Sequence, residues 1–239
     1  MTMRLGVMQP YFFPNLSHFA LIAAVDEWIV FDVTQFTRKS WITRNRILHP
    51  SSGWQYVNVA VDKAPLGTKT KDIRVIDMAA SRSATIGKLA HYKRTAPHFD
   101  RVMGLVERAF DNADGATLVD LNVSCLREAC ALLEIPLSLR ICSQLDLDFP
   151  ETMGPGDWAP HVAAAVGASS YVNPIGGREL FDPNDFSARG VELRFAEFED
   201  FQRETPGYVH VPGLSVLDAL MWVEPEVIAE RLKSRTKLV

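Results

Sequence analysis

Short apolar runs separated by polar turns recur along the chain, and their spacing sorts them into strands and helices. Residues 5–8 form an apolar run closed by Gln9-Pro10, as a buried strand would be, because proline has no N–H to give a ladder. Across 16–25, Phe19, Ile22 and Ala23 recur at helical spacing, with Asn15 or Ser17 as a cap. Residues 29–31 are β-branched or aromatic and end at Asp32. Two strands around one helix predict a right-handed βαβ unit. The polar segment 35–46 that follows reads as a loop. Runs at 54–61 and 73–77 predict strands that pair as an appended hairpin.

Beyond them the periodicity predicts helices at 81–94, 98–111, 117–134 and 157–166. Pro160 fits only the first turn of the last of these. Short runs at 137–142, 170–173 and 191–195 predict strands, and two terminal helices follow at 214–222 and 225–235. Ser215 with Asp218 has the spacing of a capping box. Acidic residues and prolines fill 146–156, a long exposed loop and the candidate subdomain boundary or lid. The fold class expected is therefore α/β. A mainly parallel, Rossmann-like sheet is flanked by helices, with an appended hairpin and a helical C-terminal part, in one domain spanning 1–239.

Composition narrows the function. The 239 residues are 47% hydrophobic, enough for a sizeable core. A net charge of −4 disfavours general nucleic-acid binding, which needs a basic excess. The odd number of cysteines, 3, lacks metal-ligand spacing and points to buried thiols in a reducing cytoplasm. The six histidines form no helical pair, so no metal site is expected. No run reaches membrane-spanning length, because Asp26 and Glu27 interrupt the best one, and no leader peptide is recognisable.

The chemistry concentrates near the start of the chain. In open α/β sheets ligands bind beyond the carboxyl ends of the strands, where Gln9 and Asp32 are expected. The segment after Asp32 carries Gln35, Arg38, Trp41, Arg44, Asn45 and Arg46. Guanidinium forks suit phosphate or carboxylate, and a tryptophan can stack on a base or sugar. The bland alternative is a solvated charged face. After the strand at 170–173, Gly176 and Gly177 either make an ordinary turn or present N–H groups to an oxyanion beside Asn173.

Several motifs also resemble a known family. They are Gln9-Pro-Tyr11-Phe-x-Pro14, Asp32-x-x-Gln35-x-x-Arg38 and Trp41-Ile-x-Arg44-Asn45-x-Ile47, then Tyr92-Lys-x-x-x-Pro97, Tyr171-x-x-Pro174-x-Gly176-Gly177 and Val211-Pro-x-x-Ser215-Val-Leu-Asp218. In this order they are similar to the WbqC-like family, which is associated with bacterial surface-polysaccharide and O-antigen clusters. Two segments depart from the family pattern: Asn15-Leu-Ser-His18 and Trp158-Ala-Pro-His161. The opening unit also resembles nucleotidylyl-transferase folds such as pantothenate synthetase, in which a His-x-Gly-His turn meets ATP phosphates at a helix N-terminus. Only His18 matches that turn.

The resemblances imply a role in surface-polysaccharide synthesis. Taken with the arginine-rich segment and the cysteine content, the expectation is a cytoplasmic enzyme acting on a nucleotide-linked amino sugar, with ATP and Mg as cofactors and amide formation as the reaction. His18, Asp32 and Arg44 are the expected catalytic residues. Gln9, Tyr11, Gln35, Arg38, Trp41, Asn45, Arg46, Asn173, Gly176 and Gly177 are the expected binding residues. Glycosyl or acyl transfer from another activated donor, and non-catalytic binding of a nucleotide sugar, are the alternatives. A small anionic ligand is the expected partner, with a homodimer as the oligomeric form.

Overall fold

The computed structural model describes residues 2–239. Its centre is the expected βαβ unit. Strand β1 (Arg4–Met8) leads into helix α1 (Leu16–Ala23) and strand β2 (Glu27–Val30), and the two strands pair in parallel from Leu5↔Glu27 to Met8↔Val30. Alternation decides the faces, since successive strand side chains point to opposite sides. Leu5, Val7 and Ile29 enter one buried cluster, and Trp28 and Val30 enter the other. Gly6 faces Trp28 so closely that a Cβ would lie 2.8 Å from its ring, so the indole takes the space a side chain would occupy.

The next segment corrects the sequence reading. Residues 44–46 are a strand rather than a loop: β3 (Arg44–Leu48) pairs antiparallel with β4 (Trp54–Asn58) as a separate two-stranded sheet. The segment 73–77 meets the hairpin's continuation only through the bridge Val61↔Val75. Helix α2 (Met78–Leu89) ends earlier than expected and gives way to a 3₁₀ turn at Ala90–Arg94. Helices α3 (Phe99–Asp111) and α4 (Leu118–Leu132) follow as expected, the latter opened by a reciprocal capping box between Thr117 and Asp120.

The remaining sheet is laid down on both sides of the first two strands. Strand β5 (Leu139–Ile141) pairs with β2. After α5 (Trp158–Ala165), strand β6 (Ser170–Pro174) returns to the other side of β1. A short helix α6 (Pro183–Ser187) precedes β7 (Glu192–Phe198), parallel to β6. Helices α7 (Val216–Trp222) and α8 (Pro225–Ser234) lead to β8 (Thr236–Leu238), an antiparallel edge strand that periodicity did not reveal. The sheet order is β5-β2-β1-β6-β7-β8.

The fold is thus a mostly parallel, Rossmann-like α/β arrangement. Helices α1, α3, α4, α7 and α8 cover one face through a large apolar cluster, and α5 and α6 cover the other. The chain runs outward from β1 through β2 to β5, then crosses back to β6. The topological switch point therefore lies between β1 and β6, where such sheets place their ligands. Segment 146–156 runs from the end of β5 to α5, and its Leu147 and Phe149 pack on the smaller cluster.

Candidate functional site

At that switch point lies a cavity of about 210 Å³. Its wall includes Met8 at the end of β1, Tyr11, and Asn15, Ser17 and His18 at the start of α1. Trp41, Asn45, Pro174 and Gly213 complete it. A second cavity of about 160 Å³ shares Met8 and Tyr11 with the first and adds Gln9, Trp158, Asn173 and Phe181. A third, about 580 Å³, shares Trp158 with the second and lies past the ends of β2 and β5. The three follow one another along the carboxyl edge of the sheet. The first two together exceed the ~300 Å³ at which small-molecule sites begin.

The first cavity is built by the loop from β1 to α1. Phe13 has a φ of +36°, a conformation that ordinary side chains resist. Long-range hydrogen bonds hold it there. Asn45 donates through Nδ2 to the carbonyls of Phe12 (3.1 Å) and Phe13 (3.0 Å), and its Oδ1 accepts from the Arg46 N–H at 2.9 Å. Ser215 Oγ donates to the Phe13 carbonyl at 2.7 Å. Asn122 on α4 donates to the carbonyls of Pro10 and Ile42. Such overdetermined strain is typical of binding loops. Ser215 also caps α7 by accepting from the Leu217 N–H, but Asp218 does not close a capping box: it accepts instead from the Tyr92 hydroxyl at 2.6 Å.

Helix α1 enters the cavity without a side-chain cap. The Asn15 side chain accepts from no helix N–H; its Oδ1 accepts from the Ser17 hydroxyl at 2.7 Å, and its carbonyl accepts from the His18 N–H at 3.1 Å. The first N–H groups of a helix lack intrahelical partners and carry a partial positive charge, so this end is suited to an anion. His18, on the first turn, is 5% exposed and packs against Trp28 and Tyr11. Burial lowers its pKa to about 3, so the imidazole is neutral near pH 7 and acts as a donor or acceptor rather than as a cation. The lining contains no carboxylate and no Lys or Arg.

Just outside lies a ladder of aromatic and guanidinium groups. Arg46 sits over Trp41 (5.5 Å) and Trp54 (5.2 Å), and Arg44 over Tyr56 (4.0 Å). Arg46 also donates to the carbonyl of Gly213, itself part of the cavity wall. Trp41 is 40% exposed and open to a stacking partner.

The chain belongs to the WbqC-like protein family. The family model matches residues 9–230. The chain is also similar to the uncharacterised protein Rv1507c of Mycobacterium tuberculosis (strain ATCC 25618 / H37Rv), 26% identical over 227 residues, which covers 93% of this chain and 95% of that one. No solved structure matches significantly. Among the described residues no helix is long and apolar enough to cross a membrane.

The residues expected from sequence divide among these places. Tyr11, His18, Trp41 and Asn45 line the first cavity, and Gln9 and Asn173 the second. Gln35 lines the third. Arg46 flanks the first cavity; Arg44, on the same face of β3, stacks on Tyr56 and lines none of the three cavities. Arg38 is exposed and reaches only the carbonyl of Ala64. Asp32 is 1% exposed, and its carboxylate accepts from the Ser143 N–H (2.9 Å) and hydroxyl (2.6 Å), so it neither pairs with Arg38 nor meets His18. Gly176 and Gly177 lie in a 3₁₀ turn at Ile175–Leu180, and neither lines any of these three cavities. Gly177 instead makes room for Asn173, whose Nδ2 would sit 2.3 Å from a Cβ there.

Sequence reasoning missed Met8, Asn15, Ser17, Pro174 and Gly213 in the lining and Asn122 and Ser215 behind it. The one signal for Asn122 was a polar side chain on the apolar stripe of α4. All three cysteines are buried and free. Among the described residues no three His, Cys, Asp or Glu side chains gather as a metal site.

Proposed function

We propose that this WbqC-like protein binds a nucleotide or nucleotide-linked amino sugar at the N-terminus of α1 and forms an amide on the sugar with ATP. The observation that carries the reading is the uncapped helix end in a cavity at the switch point, with neutral His18 inside and Trp41 at its mouth. Phosphate would accept from the Ser17 N–H at the start of α1, from the Ser17 hydroxyl and from the His18 imidazole. A base or sugar would lie on Trp41, whose other contact is the Arg46 guanidinium. The family's association with surface-polysaccharide clusters supports a sugar as the acceptor.

In this reaction a carboxylate oxygen attacks the α-phosphorus of ATP and pyrophosphate leaves. The sugar amine then attacks the acyl carbon, AMP leaves, and a proton passes to solvent. The chain contributes orientation and fixed dipoles toward charge that develops on phosphate oxygens. Magnesium would ride on the phosphates and water, since the lining supplies no carboxylate to hold it.

ATP–pyrophosphate exchange with a panel of carboxylic acids, together with calorimetric titration of ATP and a UDP-linked amino sugar, tests this. Exchange is expected, and Trp41→Ala should weaken nucleotide binding by about tenfold or more, the usual effect of losing one stacking partner. One observation favours a second reading, a non-catalytic carrier of a nucleotide sugar: Asp32 is spent on Ser143, which leaves the first cavity without a carboxylate base. In that case binding persists, and no donor combination gives turnover.

A further inference from the structure

The third cavity lies off the switch point, yet it opens into the same crevice across Trp158. Its polar wall comes from two segments pinned together by backbone. Gln35 bridges Lys69, the Thr70 N–H donates to the Thr34 carbonyl, and the Lys71 N–H donates to the Asp32 carbonyl. The backbone of Lys69 and Lys71 is thereby fixed on either side of a buried threonine, and both lysines line the cavity. Among the described residues neither lysine takes part in an ion pair. Thr34 Oγ1, in the same wall, is buried without a hydrogen-bond partner. The opposite wall is apolar: Leu145, Leu147, Phe149 and Trp158, with Phe149 and Trp158 at 5.2 Å between ring centroids. One carboxylate, Glu151, stands in the lining against the two cations.

An inorganic anion has no use for the apolar wall, and an apolar ligand has no use for the lysines. A small acid with a carbon body matches both. We propose that this cavity is the subsite for a second substrate, an organic carboxylate whose charge sits between Lys69 and Lys71 and whose apolar body lies on Phe149 and Trp158. The assignment rests on the reading of the crevice as an amide-forming site and names the acid it captures, which the lysines hold before its carboxylate passes along the crevice to react at the nucleotide. The acid enters at the ends of β2 and β5, and the nucleotide at the end of β1. The second cavity lies between them, sharing Met8 and Tyr11 with the first and Trp158 with the third.

The test is a ¹⁹F NMR titration of the full chain with para-fluorophenylacetate and a trifluoromethyl-terminated short-chain carboxylate. The matched neutral alcohols serve as controls. Saturable line broadening by at least one acid and not by its alcohol is expected. Lys69→Met/Lys71→Met should weaken it by about tenfold or more, the loss of a charge-assisted contact. Both lysines are exposed, so the double variant should fold. Trp41→Ala should leave the acid's affinity unchanged, and the double variant should bind nucleotide like the wild type. Binding of alcohol equal to acid, unchanged affinity in the double variant, or no broadening by either acid would overturn the assignment. Loss of nucleotide binding alone, with acid binding intact, would instead refute the nucleotide reading.

Discussion

Asn45 is the side chain whose removal tests how the first cavity is held. It is 3% exposed and makes three hydrogen bonds, two donated to Phe12 and Phe13 and one accepted from Arg46. Asn45→Ala leaves the Phe12 carbonyl and the Arg46 N–H without those partners; the Phe13 carbonyl keeps Ser215. Each buried group left unpaired costs about 1–3 kcal/mol. The adjoining cavity admits water, so the lower half of that range applies, and the expected loss is about 2–4 kcal/mol. For a chain of this size that lowers Tm by roughly 5–15 °C. Asn45→Asp is the sharper probe, because it keeps the shape but turns both donated bonds into repulsion between oxygens. It should be more destabilising than Asn45→Ala. Equilibrium urea unfolding at pH 7 measures both, with the slope unchanged if only the native state is affected. A loss under about 0.5 kcal/mol for Asn45→Ala, or an Asp variant no worse than the Ala one, would refute the argument that Asn45 fixes the loop.

Three further outcomes are expected. Because burial holds the His18 pKa below its unfolded value, the unfolded chain takes up the proton first. The stability this contributes is complete above about pH 6.5. It is lost as pH falls toward the folded value of about 3, by at most about 1.4 kcal/mol per pH unit. Urea unfolding of wild type and His18→Gln across that window should show a shallower slope in the variant, and parallel slopes would disprove it. Tyr92→Phe removes the donor to buried Asp218 and the acceptor for the Leu48 N–H, and should cost about 2–4 kcal/mol by the same measurement. Gly177→Ala should displace Asn173 and break its bond from the Tyr171 hydroxyl. In an Asn173→Ala background the same change should cost much less, which a double-mutant cycle reads directly.

The sheet was legible because its strands bury opposite faces in alternation: Leu5 and Val7 enter one cluster and Trp28 and Val30 the other. Strand β3 was not legible, because Arg44, Asn45 and Arg46 are all polar by type. Asn45 is buried only because backbone carbonyls satisfy it, and the arginines are tolerated because Tyr56, Trp54 and Trp41 take their flat faces. Strand β8 is three residues long at an edge, too short to show a period. At the site, Tyr11, His18, Trp41 and Asn45 come together because they follow the first strand or pack directly on that loop. Asp32 does not join them, since its partner is Ser143, far along the chain after β5. Nor could spacing reveal that Gly177 serves Asn173.

The claim that an anion sits at the start of α1 is tested most directly by following backbone amide shifts in ¹⁵N-labelled protein during titration with ATP or a UDP-linked amino sugar. The account predicts saturable shifts centred on Leu16, Ser17 and His18, with the Trp41 indole N–H following the same curve. Shifts confined to other parts of the molecule, with those amides unmoved at saturation, would contradict it.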